Sequence, residues 1–255
     1  MIKTSAGQFA TSLTLAAIPL LLVALLPADE RQLFLKPPWS QDTPKSIPRF
    51  DTLVREDFFA GIGGDSSRFD RAMQFASEEL AKHPDNAEAK VWHGAGTYML
   101  AKRWFRQGDA SKGVQLKRDG LREMDDAVAL DPENVAVLIP RASILLSAAR
   151  YIPNPEEAKG AYEKAVADCE KILKLQSSYF QSLGEHPRGE LLGALAEGWS
   201  ALGNQEKSRA YLNRICTELP SSVYAAKATA LLAAPRQGTL GITCLGCHSG
   251  NVHSP

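Results

Sequence analysis

The stretch LLGALAEGWSALGNQEKSRAYLNRICTELP (residues 191–220) decides how the chain is read. Leu192, Leu195, Ala196 and Trp199 recur every three or four residues, the period of a helix with one buried face. Gly203 breaks the pattern, and Leu212 and Ile215 resume it. Pro220 ends it, because proline lacks the N–H that a continuing helix needs. The stretch therefore predicts two helices folded back on each other.

Working outward, two more amphipathic segments stop the same way. FDRAMQFASEELAKHPDN (69–86) meets Pro84, and LREMDDAVALDPEN (121–134) meets Pro132. Pro84 and Pro132 are 48 residues apart, and Pro132 and Pro220 are 88 apart, two steps of 44. A fourth helical segment, AYEKAVADCEKILKLQSS (161–178), lies midway in the longer interval and ends without a proline. YAAKATALLAA (224–234) reads as a closing helix. Even punctuation of this kind predicts an all-α domain over residues 50–234, built as a solenoid of stacked hairpins with a concave groove. GIGGD (61–65) lacks the Lys-Ser/Thr of a phosphate loop and reads as a turn between helices.

These residues resemble the tetratricopeptide repeats. Leu192, Leu195, Ala196 and Trp199 match the first helix of that pattern, Gly203 its turn, and Pro220 its end. Ala89 to Pro132 matches with an insertion: Trp104, then Gln107-Gly108-Asp109 at the turn, then Ala127 and Pro132. The spacing here exceeds the roughly 34 residues of a family repeat. The resemblance implies a surface for binding other proteins and no chemistry of its own.

Before the repeats come two segments of different composition. Residues 1–28 hold no charge between Lys3 and Asp29, and Leu13 to Leu26 is strongly apolar, as in a membrane anchor or a signal peptide. Lys3 ahead of it, with Asp29 and Glu30 after it, orients the rest of the chain to the outside. Residues 29–49 are proline-rich and read as an extended spacer. Both readings of residues 1–28 place the body on the periplasmic side of a bacterial inner membrane, anchored or released.

The composition changes again after Pro235, in a glycine-rich tail, residues 235–255. It contains Cys244-Leu245-Gly246-Cys247-His248, the spacing of a c-type haem attachment site. Two thiols so placed form thioethers to the porphyrin, and the adjacent imidazole binds the iron. One covalent haem c is the expected cofactor, with Cys244 and Cys247 as attachment points and His248 as proximal ligand. Zinc on Cys244, Cys247, His248 and His253 is a competing reading, strained by the adjacency of Cys247 and His248. A redox dithiol and a plain disulfide are the others. His253 is the nearest distal candidate for the iron; His93, Met99 and Met124 serve if the tail folds into the groove, and a partner's ligand or an open site completes the set.

The remaining features are bland. Lys plus Arg and Asp plus Glu are 29 each, which argues against nucleic acid as partner while leaving room for a local charged patch. His83 and His186 sit beside prolines and read as loop residues; Cys169 and Cys216 read as small buried side chains. The expected function is a membrane-tethered monohaem electron carrier, not an enzyme. The repeats dock it to redox partner proteins or a membrane electron-transfer complex. A scaffold or assembly subunit with structural haem is the alternative, and a haem peroxidase or gas sensor ranks last.

Overall fold

The computed structural model describes residues 49–234. The anchor or signal segment, most of the spacer and the cysteine-bearing tail lie outside the described residues. What is described is all-α: α1 Phe50–Ile62, α2 Ser66–Lys82, α3 Ala87–Arg106, α4 Ala110–Leu130, α5 Val135–Ala149, α6 Pro155–Leu175, α7 Glu185–Ala201, α8 Gln205–Glu218 and α9 Val223–Ala233. A single 3-10 turn, Phe180–Ser182, lies between α6 and α7. None of these helices is long and apolar enough to cross a membrane.

Short polar side chains start the helices. Asp65, Asn86, Asp109, Asn134, Asn154, Asn204 and Ser222 each accept a backbone N–H from the first turn that follows. Each such cap is worth about 1 kcal/mol. Pro84, Pro132 and Pro220 follow the ends of α2, α4 and α8, where the sequence places them. Gly63, Gly64 and Asp65 of GIGGD form the α1–α2 turn while Gly61 and Ile62 still belong to α1, and Gly64, Gly108 and Gly203 take positive φ at three of the tight turns. Helix α6 starts at Pro155, earlier than the periodicity over 161–178 indicates, because Asn154 and a proline at the first helical position form a start signal of their own.

Consecutive helices pack as hairpins: α1 with α2, α3 with α4, α5 with α6 and α7 with α8, with α9 laid on α8. The odd helices also touch in sequence, α1 to α3, α3 to α5 and α5 to α7. Two apolar clusters fill the interior. One runs from Phe50 to Ile144 and the other from Leu138 to Ala228, so both draw on α5. That helix is apolar almost all round, as its burial requires.

Polar clamps hold the layers in register. Glu88 on α3 accepts the Phe50 backbone N–H at 2.8 Å and the Asn134 side-chain amide at 3.3 Å, fixing the starts of α1, α3 and α5 at one level. Arg141 on α5 forks onto Asp168 of α6 at 2.6 and 2.8 Å and reaches Asp125 of α4 at 2.9 Å. Arg150, just past α5, pairs with Glu197, which is fully buried on α7.

Candidate functional site

Cys244, Cys247, His248 and His253 lie outside the described residues. Among the described residues, no group of three or more His, Cys, Asp or Glu side chains is placed to hold a metal ion.

What the helices do build is a groove on the odd-helix side. A cavity of about 190 Å³ opens between α1, α3 and α5. Phe58, Phe59, Trp92, Met99, Ile139 and Ile144 give it apolar walls. Phe58 stacks on Trp92 with ring centroids 5.1 Å apart, so one wall is a preformed aromatic surface. Arg49, Asp51 and Arg55 line it as well. Arg49 holds Asp51 through two 3.0 Å hydrogen bonds, and Arg55 approaches the same carboxylate at 3.6 Å. Both guanidiniums are well exposed while Asp51 is buried; Arg55 also lies 3.7 Å from exposed Glu56, so the rim's charges are balanced.

The distal-ligand candidates separate on this geometry. Met99 lines the cavity. Met124 does not: it is fully buried in the core beneath α4, so its thioether is out of reach of any iron unless the core opens. His93 is absent from the cavity wall too; its Nδ1 lies 2.8 and 2.9 Å from the two carboxylate oxygens of Glu123 on α4. The periodicity placed His93 and Met124 on the right helices without saying which neighbour each would meet.

The other singled-out residues have structural partners. His83 is exposed and 3.0 Å from Glu79; His186, expected in a loop, lies instead in the first turn of α7, exposed and 2.8 Å from the Tyr224 hydroxyl. Cys169 is buried, and burial pushes its thiol far above the ordinary range, so it stays protonated and unreactive. Cys216 is only half-buried, with its sulfur 3.5 Å from the Thr229 hydroxyl, a departure from the fully buried position expected.

The donor set of two thiols and one imidazole suits an attached haem. The groove between α1, α3 and α5 does not enclose one. At about 190 Å³ the groove falls below the roughly 300 Å³ at which drug-sized pockets begin. It admits a side chain or the edge of a flat ligand, not a whole porphyrin.

Sequence reasoning missed Arg49, Asp51 and Arg55 as a rim, and the Phe58–Trp92 wall. No local signal marks them, because the cavity draws on residues as far apart in sequence as Arg49 and Ile144. Comparison of the chain with protein-family models, curated proteins and solved structures finds no match.

Proposed function

We propose that the chain is an exported monohaem c-type cytochrome whose helical body binds partner proteins. The carrying observation is Cys244-Leu245-Gly246-Cys247-His248 itself, in a chain that opens with an export segment. Bound haem would supply one-electron exchange; Cys244 and Cys247 would hold it, and His248 would ligate the iron. The body would serve as docking surface rather than haem pocket, since its groove is too small to enclose the ring.

In this reading the body is a tetratricopeptide-like array of four hairpins closed by α9. The glycine turns at Gly108 and Gly203, the prolines after α4 and α8, and the chain of contacts along the odd helices support it. An apolar groove with an aromatic wall and a charge-balanced rim suits an extended segment of a partner that carries an apolar anchor. Residues 1–28 would anchor the chain, or be cleaved, with the body on the periplasmic side of the inner membrane.

The test is the intact mass and pyridine haemochrome spectrum of the full chain, expressed with a haem-maturation system. A mass raised by one haem, lost in C244S/C247S, is expected. An unmodified chain would falsify the cytochrome reading. A second reading, a scaffold subunit with structural haem, draws on the stacked hairpins, whose contacts run from α1 to α9. It predicts that C244S/C247S fails in complex assembly while electron flow through purified complexes is untouched; partner binding that persists while electron flow stops favours the electron carrier.

A further inference from the structure

One stretch of the body carries a local excess of positive charge. Glu88 sets the starts of α1, α3 and α5 level, yet α3 is 20 residues long against 13 for α1 and 15 for α5. At 1.5 Å per residue, α3 projects roughly 8 to 10 Å beyond both neighbours. Helix α4, 21 residues long, returns alongside it. This projection is the insertion that stretches the Pro84–Pro132 interval to 48 residues.

Its composition is unlike the rest of the body. Residues 102–118 hold six cations, Lys102, Arg103, Arg106, Lys112, Lys117 and Arg118, and one carboxylate, Asp109, which is engaged in capping α4. Arg103 lies 3.8 Å from Asp70. Lys102, Arg106, Lys112 and Arg118 have no carboxylate within ion-pair range among the described residues. Elsewhere in residues 49–234, carboxylates outnumber cations 25 to 18. The zero net charge of the chain therefore conceals an acidic body with one basic apex.

The apex is also apolar. Phe105 is 38% exposed and Val114 49%, and half-buried Trp104 precedes Phe105 on α3. The Lys117 ammonium sits 5.2 Å over the Phe105 ring, so cation and aromatic share one surface. Aromatic side chains interleaved with cations are the composition of a segment that settles into a lipid interface.

We propose that this apex docks on anionic phospholipid head groups of a membrane surface. The cations would contact phosphate, and Phe105, Val114 and Trp104 would enter the head-group layer. Convex shape decides between this and an acidic protein. A projecting summit meets a flat, deformable lipid surface without needing a complementary pocket, whereas apolar side chains on a summit require one in a protein partner. The proposal is independent of haem: it asks only that the body lie near a membrane.

The test uses the full chain in bilayers of phosphatidylcholine, with and without phosphatidylglycerol, both carrying brominated acyl chains that quench tryptophan. Subtracting the signal of W104F isolates Trp104. The expected result is quenching about twofold stronger with phosphatidylglycerol. It is abolished by K102E/R106E/K112E/R118E and in ~1 M salt, where the Debye length falls to about 3 Å. Acylation footprinting of Lys102 and Lys112 needs no substitution, and both should be protected only in the anionic bilayer. Unquenched Trp104, equal quenching in both bilayers, or lysines equally reactive in both overturns the proposal. So does loss of crosslinking to an acidic protein in the charge-reversed chain while Trp104 stays unquenched.

Discussion

Gly120 has no room for a methyl group. A Cβ there would lie 2.5 Å from the Gly94 carbonyl oxygen and 2.6 Å from the Tyr98 nitrogen, both backbone atoms of α3. Alanine normally stabilises a helix by about 1 kcal/mol over glycine. At Gly120 the sign reverses: G120A should cost about 2 kcal/mol because α3 and α4 must separate. Exposed Gly160 on α6 has nothing within 4 Å of such a Cβ, so G160A should stabilise by about 1 kcal/mol. Urea denaturation of the two variants checks both signs. Asp57 gives a pH-dependent case. Hydrogen bonds from Arg71 and Arg68, 2.6 to 2.7 Å long, lower its pKa from 3.8 to about 2. A carboxylate depressed in the folded state contributes stability above its unfolded pKa and loses it as pH falls through the folded value. Wild type should therefore exceed D57N in melting temperature at neutral pH. The gap should shrink below pH about 4 and close near pH 2. A gap that persists unchanged at pH 2 would show that packing, not charge, is lost in D57N.

At the level of helices, the Arg141 fork is the most consequential contact. Its side chain is 12% exposed and that of Asp168 6%, so the pair is largely out of water. Burial pushes the Asp168 carboxyl up in pKa, against the pull of Arg141. Removing one member of a buried pair strands the other, at about 3 kcal/mol. R141L, which strands Asp168, should approach that cost; D168L should cost less because Arg141 keeps Asp125 at 2.9 Å, and R141L/D168L should cost well under the sum of the two. A double-mutant cycle by chemical denaturation reads the coupling; additive costs would show that the two side chains do not act as a pair. Helix positions were legible from local chemistry: prolines after α2, α4 and α8, and glycines at the turns, act within a few residues of themselves. The fork was not, because Arg141, Asp168 and Asp125 lie on three helices with no pattern linking them. The long α3–α4 hairpin stood between these extremes. Its extra length shows in the proline interval, but only the alignment at Glu88 turns length into projection.

Across the whole body, stability should be graded rather than uniform. Stacked hairpins touch mainly their neighbours, so terminal units open more easily than central ones. Both apolar clusters draw on α5, whereas α1 and α9 each begin or end the described body. Native-state hydrogen exchange should find α5 amides most protected and those of α1 and α9 least. Identical protection throughout would mean a single cooperative unit instead. The sequence by itself determined the helical class, the hairpin punctuation and the spacing of Cys244, Cys247 and His248, since each depends on residues close along the chain. Only the tertiary structure decided that Met99 faces a cavity while Met124 is entombed and His93 is held by Glu123. It alone also assembled the aromatic groove and raised the basic apex above its neighbours. Those outcomes depend on how far each helix runs and which face meets which, and these are set by packing among segments tens of residues apart.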